Sequence, residues 1–443
     1  MINPVNISKI YSTLGSNSSV VPLAVKDIAN SLGITAGAYV VGKKEESADR
    51  FLDEFGTQAI WLFEIPLLKN LIDLTVYKPL KVDSKIDVRI FKDKEVFEKA
   101  KEFAPTPEIK SALIKAEKNT KFMKGLALAK FAISTGLTIY SYSALTKYRH
   151  KKTEEKVRKT ILKEQEQKKN ANGENFAGSS NADKPTFKGG LSEFMFNPVK
   201  NLMVLDAAIS GERFMHARSL QDFLGYVVKE GTFWTFMYFA SQKIQKSLEN
   251  KALKEGKTIS IDSRVIENPD LKKSIANGEL QKALNDFGKN KTNAQIYEFL
   301  NTAPDNIVVK FAKQSDIVKT LETNDGFWNK LARKIGLKSK LQNADKIDTR
   351  AFIDMDELKN FAQKLQSIEN QYKISGENID DFCKKLVSLK RNAVLKGIGA
   401  CIFALGVLTP TIMVTIRLLR NDKGFQVREK IEQELAQNIS VAA

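Results

Sequence analysis

Two histidines and two cysteines are all that 443 residues provide, and this scarcity removes several chemistries at once. Cys383 and Cys401 cannot build a disulfide framework, and so few thiols fit a reducing compartment. Neither histidine has a second ligand at helical spacing, so no metal framework and no cofactor is expected. A phosphate loop of the GxxxxGK type, a dinucleotide glycine fingerprint and a nucleophile elbow are all missing. These gaps argue against an enzyme. His150 lies in the basic run KYRHKK and reads as solvated. His216 follows Glu212 by four residues and would share a helix face with it. A general base pair has that spacing, but surface pairs and satisfied core contacts have it far more often. The first residues lack a basic n-region followed by an apolar h-region, so no cleavable signal peptide is expected. Any membrane insertion then relies on internal segments.

One such segment is plain. Gly397 to Ile416 runs for twenty residues without a charge, entered from Lys390, Arg391 and Lys396 and left through Arg417 and Arg420. At about 1.5 Å per residue it reaches roughly 30 Å, the thickness of a hydrocarbon core. Pro410 is tolerated in such a helix, and Gly397, Gly399 and Gly406 thin one side for a neighbouring helix. A weaker candidate runs from 125 to 146, with Lys130 placed to snorkel and Tyr140 and Tyr142 suited to the opposite interface. A buried core helix is the competing reading for both, more closely balanced for the second. The aromatic runs at 56–68 and 231–240 are too short to span. Core packing accounts for them slightly better than an interfacial placement of Trp61 and Trp234.

Charge points to an acidic partner, since the formal net charge is +18. Lysine is spread over every segment rather than gathered with arginine and aromatics on a nucleic-acid module. Beside an apolar span, anionic lipid is a simpler partner than nucleic acid. The expected headgroup contacts are Lys147, Arg149, Lys151 and Lys152 after one candidate span, and Arg417 and Arg420 after the other. A mean hydropathy of -0.28 excludes a bundle lying mostly within lipid. Glu64, Lys130 and Asp206 stand within or beside apolar stretches. In a transporter such charges line an ion path, although interfacial placement or pairing explains them more simply.

Residues 151–195 read as a linker, a charged helical extension decaying into a stretch rich in Asn, Gly and Ser. It separates two halves, 1–150 and 196–420, that pass the same stations in the same order. Asp27, Gly56-Thr57 and an aromatic run in one answer to Asp206, Gly231-Thr232 and an aromatic run in the other. Lys85-Ile-Asp-Val-Arg-Ile-Phe91, containing Asp87 and Arg89, resembles Lys346-Ile-Asp-Thr-Arg-Ala-Phe352, containing Asp348 and Arg350. Gly231 follows Gly56 by 175 residues but Ile347 follows Ile86 by 261, which calls for about 86 inserted residues near 250–335. A rival match, Ile261-Asp-Ser-Arg264, keeps the 175-residue step without an insertion there. Alternation of Ile86, Val88 and Ile90 with Asp87 and Arg89 suits a short strand or extended entry, after which Asp93 and Asp354 can cap helices.

The expected architecture is therefore mainly α, two related helical halves, each ending in a long helix with an apolar, membrane-spanning portion. Extended segments are short, and 421–443 forms a polar tail. The expected role is a membrane-anchored structural or scaffolding protein contacting anionic lipid and protein partners, with self-association through the glycine-bearing span 397–416. A transporter or channel subunit built from the halves is the alternative, and a lipid-acting enzyme the third. Membrane, and a bacterial inner membrane in particular, is the expected location.

Overall fold

The computed structural model describes residues 11, 13–15, 20–167, 195–218, 220–254, 257–288, 291–321, 346–420 and 426–442. The protein is mainly helical, and among the described residues the only bridge outside helices joins Thr320 to Ile347 antiparallel. In chain order the helices are α1 (Val21–Ala59), α2 (Ile65–Ile72), α3 (Lys94–Glu102), α4 (Pro107–Lys118) and α5 (Thr120–Gln167). Then come α6 (Pro198–Met215), α7 (Leu220–Trp234), α8 (Ala240–Lys254), α9 (Ser263–Ile266), α10 (Pro269–Ala276), α11 (Glu279–Phe287) and α12 (Asn293–Thr302). The last are α13 (Ile307–Gln314), α14 (Met355–Ser375), α15 (Ile379–Phe403), α16 (Thr409–Leu419) and α17 (Gln426–Ala442). π-helical turns at Ile60–Glu64, Thr235–Phe239 and Ala404–Leu408 join α1 to α2, α7 to α8 and α15 to α16. Inside α1 the backbone breaks at Lys43, whose φ of 55° is left-handed.

Local chemistry explains the helix ends. Asp93 accepts from the Val96 amide, Asp354 from Asp356 and Glu357, and Asn197 from Val199 and Lys200. Thr106 caps α4 with Pro107 at its first turn, where a missing N–H costs nothing. Gly376 closes α14 at a left-handed φ of 64°, available to glycine without strain. The alternating stretch after Lys85 is not a strand. Asp87 accepts from the Arg89 amide and winds the chain into a 3-10 turn, Val88–Lys92, in which Val88 and Ile90 are nonetheless buried.

The chain forms two compact units that interleave along the sequence. The first comprises Met1–Pro22, Leu71–Ala129 and Gln242–Gly397, the second Leu23–Asn70, Lys130–Ser241 and Ile398–Ala443. The first unit has an ordinary apolar core, including Leu113, Ile261, Val265, Leu300, Val308 and Leu365. Most of the supposed insertion, 257–314, folds there as α9 to α13. The linker begins as the expected charged helical extension. Residues 151–167 continue α5, where Val157 and Ile161 bury against Val427 and Ile431 of α17. Arg158–Glu434 at 2.7 Å and an Arg428–Glu164 pair flank that seam. The Asn-, Gly- and Ser-rich part, 168–194, lies outside the described residues.

Candidate functional site, a charged interior

In the second unit, stretches of two helices invert the usual distribution of side chains. Between 130 and 153 of α5 the buried positions are Ser134, Thr135, Thr138, Tyr142, Thr146, Arg149 and Thr153, while Ile133, Leu137 and Tyr140 are 49%, 45% and 71% exposed. The 3.6-residue repeat of a helix therefore gathers its polar side chains on the inner face and its apolar ones outside. In α1 the same inversion buries Asp49, Asp53, Glu54 and Gln58 and exposes Phe51 and Leu52. Lys26, Asp27, Asn30 and Ser31 are buried before the kink, beside exposed Ile28 and Leu32. Among the described residues, two segments are long and apolar enough to cross a membrane by length and composition, Thr120–Glu164 and Ile379–Leu419.

Inside, the charges are paired. The Arg149 guanidinium is 2.9 Å from Asp49 and 3.9 Å from Asp53, and the Thr153 hydroxyl donates to Asp49 at 2.8 Å. Arg218 donates to Asp49 at 2.6 Å. Tyr142 donates to Asp53 at 3.2 Å, and Arg213 approaches Asp53 at 3.6 Å while bonding Glu230 at 2.7 Å. Lys229 pairs with Glu54 and lies 3.5 Å from Glu230, which also accepts from Ser210 at 2.6 Å. Arg50 pairs with Asp222, and Arg417 with Glu46. Such burial is tolerable only because nearly every ion meets an opposite one.

A second layer uses the π turns. Trp61, within Ile60–Glu64, donates from Nε1 to Asp27 at 3.1 Å, and Gln58 donates to Ser31 at 2.6 Å. Tyr238, within Thr235–Phe239, donates to Asp206, and Trp234 donates to Ser210 at 3.2 Å. Each arrangement sets an acid and a serine four residues apart on one helix against an aromatic donor from a π turn, Trp61 or Tyr238, and a second donor, Gln58 or Trp234, from the helix just before it. Lys26 caps the second with a bond to the Met237 carbonyl at 3.0 Å. Not every polar atom is satisfied. Both polar atoms of the Asn30 amide, the Asn201 amide nitrogen and Nη1 of Arg218 are buried without a hydrogen-bond partner.

The expected headgroup residues divide. Lys147, Lys151, Lys152 and Arg420 are exposed. Arg149 is not; at 1% side-chain exposure it belongs to the interior, because Asp49 and Asp53 stand opposite it. Arg417 is 21% exposed and held by Glu46. Ser141 donates to Glu64 at 2.6 Å, and His216 sits 3.3 Å from Glu212. Of the span glycines, Gly406 admits a neighbour: a Cβ on Gly33 would lie 2.2 Å from its carbonyl oxygen. The open side at Gly399 has nothing within 4 Å.

Asp87, Arg89, Asp348 and Arg350 lie in the first unit, and the structure brings them together. Each aspartate accepts the amide two residues on, at 3.0 and 3.1 Å, and the arginine folds back onto the same carboxylate. The Asp87 amide donates to the Arg350 carbonyl at 3.0 Å, Arg350 reaches Asp83 at 2.9 Å, and the Arg89 guanidinium stacks 4.9 Å from the Phe352 ring. Asp262 and Arg264 repeat the turn, at 2.8 Å for the amide. Both candidate registers thus carry the same local geometry. Burial disfavours the guanidinium of Arg264 and Arg350, yet bonds to Asp262 in one and to Asp348 and Asp83 in the other outweigh it and raise both above the ordinary arginine value. In each turn one carboxylate both caps the backbone and pairs with the arginine.

Sequence reasoning singled out Asp206 and Glu64 but missed Asp49, Asp53, Glu54, Lys229 and Glu230. The signal was available: in α1 the acids at 46, 49, 53 and 54 keep helical spacing, opposite an apolar Phe51-Leu52 face. No protein-family model matches the chain, and no curated protein or solved structure matches it either.

Proposed function

We propose that the protein is an integral membrane protein whose second unit lies largely in the bilayer and handles a polar or ionic species through its charged interior. The observation that carries this reading is the inversion of that unit, with paired ions inside and Phe63, Leu67, Leu137, Phe403 and Val407 outside. Water does not reward such an exterior, and lipid does. Passive anchoring needs no ionised groups at bilayer depth, where each costs a few kcal/mol or more, and by default such groups mark a pathway. Asp27 with Trp61 and Asp206 with Tyr238 resemble each other as related halves of a transporter would. The repetition of stations and of Asp-x-Arg turns supports an internal duplication on the same grounds. The first unit would then work in water, with Lys147, Lys151, Lys152 and Arg420 meeting anionic headgroups.

A scaffolding role is the second reading, favoured by the completeness of the pairing. Asp49 alone binds Arg149, Arg218 and Thr153, which fixes helix register without leaving an ion to move. Two measurements decide. Carbonate extraction should leave the full chain in the pellet and detergent should release it; recovery in plain buffer overturns the membrane assignment. Purified protein in liposomes should then pass small ions or polar solutes faster than empty vesicles, and Lys229→Met should alter that flux. Liposomes as tight as empty ones across cations, anions and protons would leave the scaffold.

A further inference from the structure

A cavity of about 180 Å³ opens within the second unit, and its two ends differ in chemistry. Ile34, Leu224, Met413 and Val414 make an apolar wall, two of them from the segment 397–416. Arg50, Arg218, Arg417 and Arg420 also line it, against the carboxylates of Glu46 and Asp222. Two of these cations are already answered, Arg50 by Asp222 and Arg417 by Glu46. Arg218 is answered too, by Asp49, but has a donor to spare. One terminal nitrogen bonds Asp49 at 2.6 Å and Nε is 3.8 Å from Asp222, but Nη1 is buried with no acceptor. Leaving a charged donor dry and unmet costs more than an ordinary lost hydrogen bond. Arg420 stands exposed at the rim.

We propose that this cavity is a binding site for an acyl chain with an anionic head, the head on Arg218 and Arg420 and the chain along Ile34, Leu224, Met413 and Val414. A small polar solute would leave the apolar wall unrewarded, and a neutral amphiphile would gain nothing from the arginines at the polar end. A guanidinium with a free donor matches carboxylate or phosphate oxygens in geometry and charge. The site rests on the membrane reading only for access, because the wall residues of 397–416 would bring it to lipid depth. Free fatty acid and anionic phospholipid share this chemistry, and the test separates them.

The experiment uses the full chain, purified in detergent, stripped of lipid and titrated by native mass spectrometry and thermal shift. The probes are oleate, dioleoyl phosphatidylglycerol, dioleoyl phosphatidylcholine and inorganic phosphate. One oleate or one phosphatidylglycerol should bind saturably and raise the melting temperature, and whichever binds more tightly identifies the source of the head. Phosphatidylcholine and phosphate should do neither. Gly225 lines the cavity, and a Cβ there would meet only Met413 Cε, at 3.7 Å, so Gly225→Leu fills space without a backbone clash. It should abolish binding while the protein stays folded. Arg420→Gln should weaken binding about tenfold, the value of one lost charge contact. Equal binding of the zwitterionic and anionic lipids overturns the proposal, as does binding that survives Gly225→Leu. A protein soluble without detergent that still binds oleate in a Gly225-dependent way would overturn the membrane reading and keep the site. An integral protein that binds none of the probes would do the reverse.

Discussion

Lys229 and Glu54 meet with side chains 1% and 3% exposed, so each is the other's main substitute for water. Lys229→Met leaves Glu54 facing only Arg213, at 3.8 Å. Removing one member of a buried pair typically costs about 3–5 kcal/mol, whereas replacing both with apolar groups is often close to neutral. Lys229→Met should therefore lower the thermal midpoint sharply, followed by fluorescence of Trp61 and Trp234 in the same unit. Lys229→Met with Glu54→Leu should recover most of the loss. A double variant as unstable as the sum of its singles would mean that the pair is not a separable unit within the network. At this scale the sequence was only partly legible. Asp206 stands out because its neighbours are apolar. Asp49 and Asp53 lie in KKEESADRFLDEF, a run that reads as a solvated helix until its inner and outer faces are known.

Elements were more legible where a single residue decides a boundary. Asp93, Asp354, Pro107 and Gly376 act as their chemistry dictates, capping, opening or closing a helix. Ile86, Val88 and Ile90 misled because burial of alternate residues is common to a strand and to a tight turn. The Asp87 carboxylate, which accepts the Arg89 amide, selects the turn. Packing between elements was foreshadowed by the glycines of 397–416, although only contact geometry identifies Gly406 as the one against α1. A Cβ on Gly33 would stand 2.2 Å from the Gly406 carbonyl oxygen and 2.7 Å from its carbonyl carbon. Backbone cannot swing aside as a side-chain end can, so the two helices must separate. Gly33→Ala should destabilise the second unit by about 1–3 kcal/mol, the usual cost of overpacking. Gly136→Ala in α5, with nothing within 4 Å, should be neutral or slightly stabilising through helix propensity. Equal melting of Gly33→Ala and the parent chain would show that α1 and 404–408 do not approach as described.

For the whole molecule, averaging hides what matters. A hydropathy window averages the inner and outer faces of a helix, so Lys, Asp or Glu on one face masks an apolar face opposite, and the charge-free 397–416 stands out instead. The mean of -0.28 likewise sums a first unit with an apolar core and a second that buries charged side chains among its apolar ones. What distinguishes them is which side each residue faces, and periodicity shows that two faces exist without showing which is outward. Exposure alone does not separate water from lipid either, and that difference can be measured chemically. Cys383 and Cys401 are both buried, so replacing them with alanine gives a background for single cysteines. Cysteines at Phe63, Leu137 and Val407, which are 68%, 45% and 51% exposed, are compared with cysteines at Ile374 and Leu253, which are 85% and 49% exposed. A charged maleimide applied to membranes opened to both sides should label the last two within minutes. The first three should stay unlabelled until detergent is added, because thiolate and reagent both need water. Leu253 and Leu137 are nearly equally exposed, so a difference between them reports the surrounding medium and not geometry. Labelling of Leu137 and Val407 at the rate of Leu253 would put the apolar face of the second unit in water and end the membrane reading.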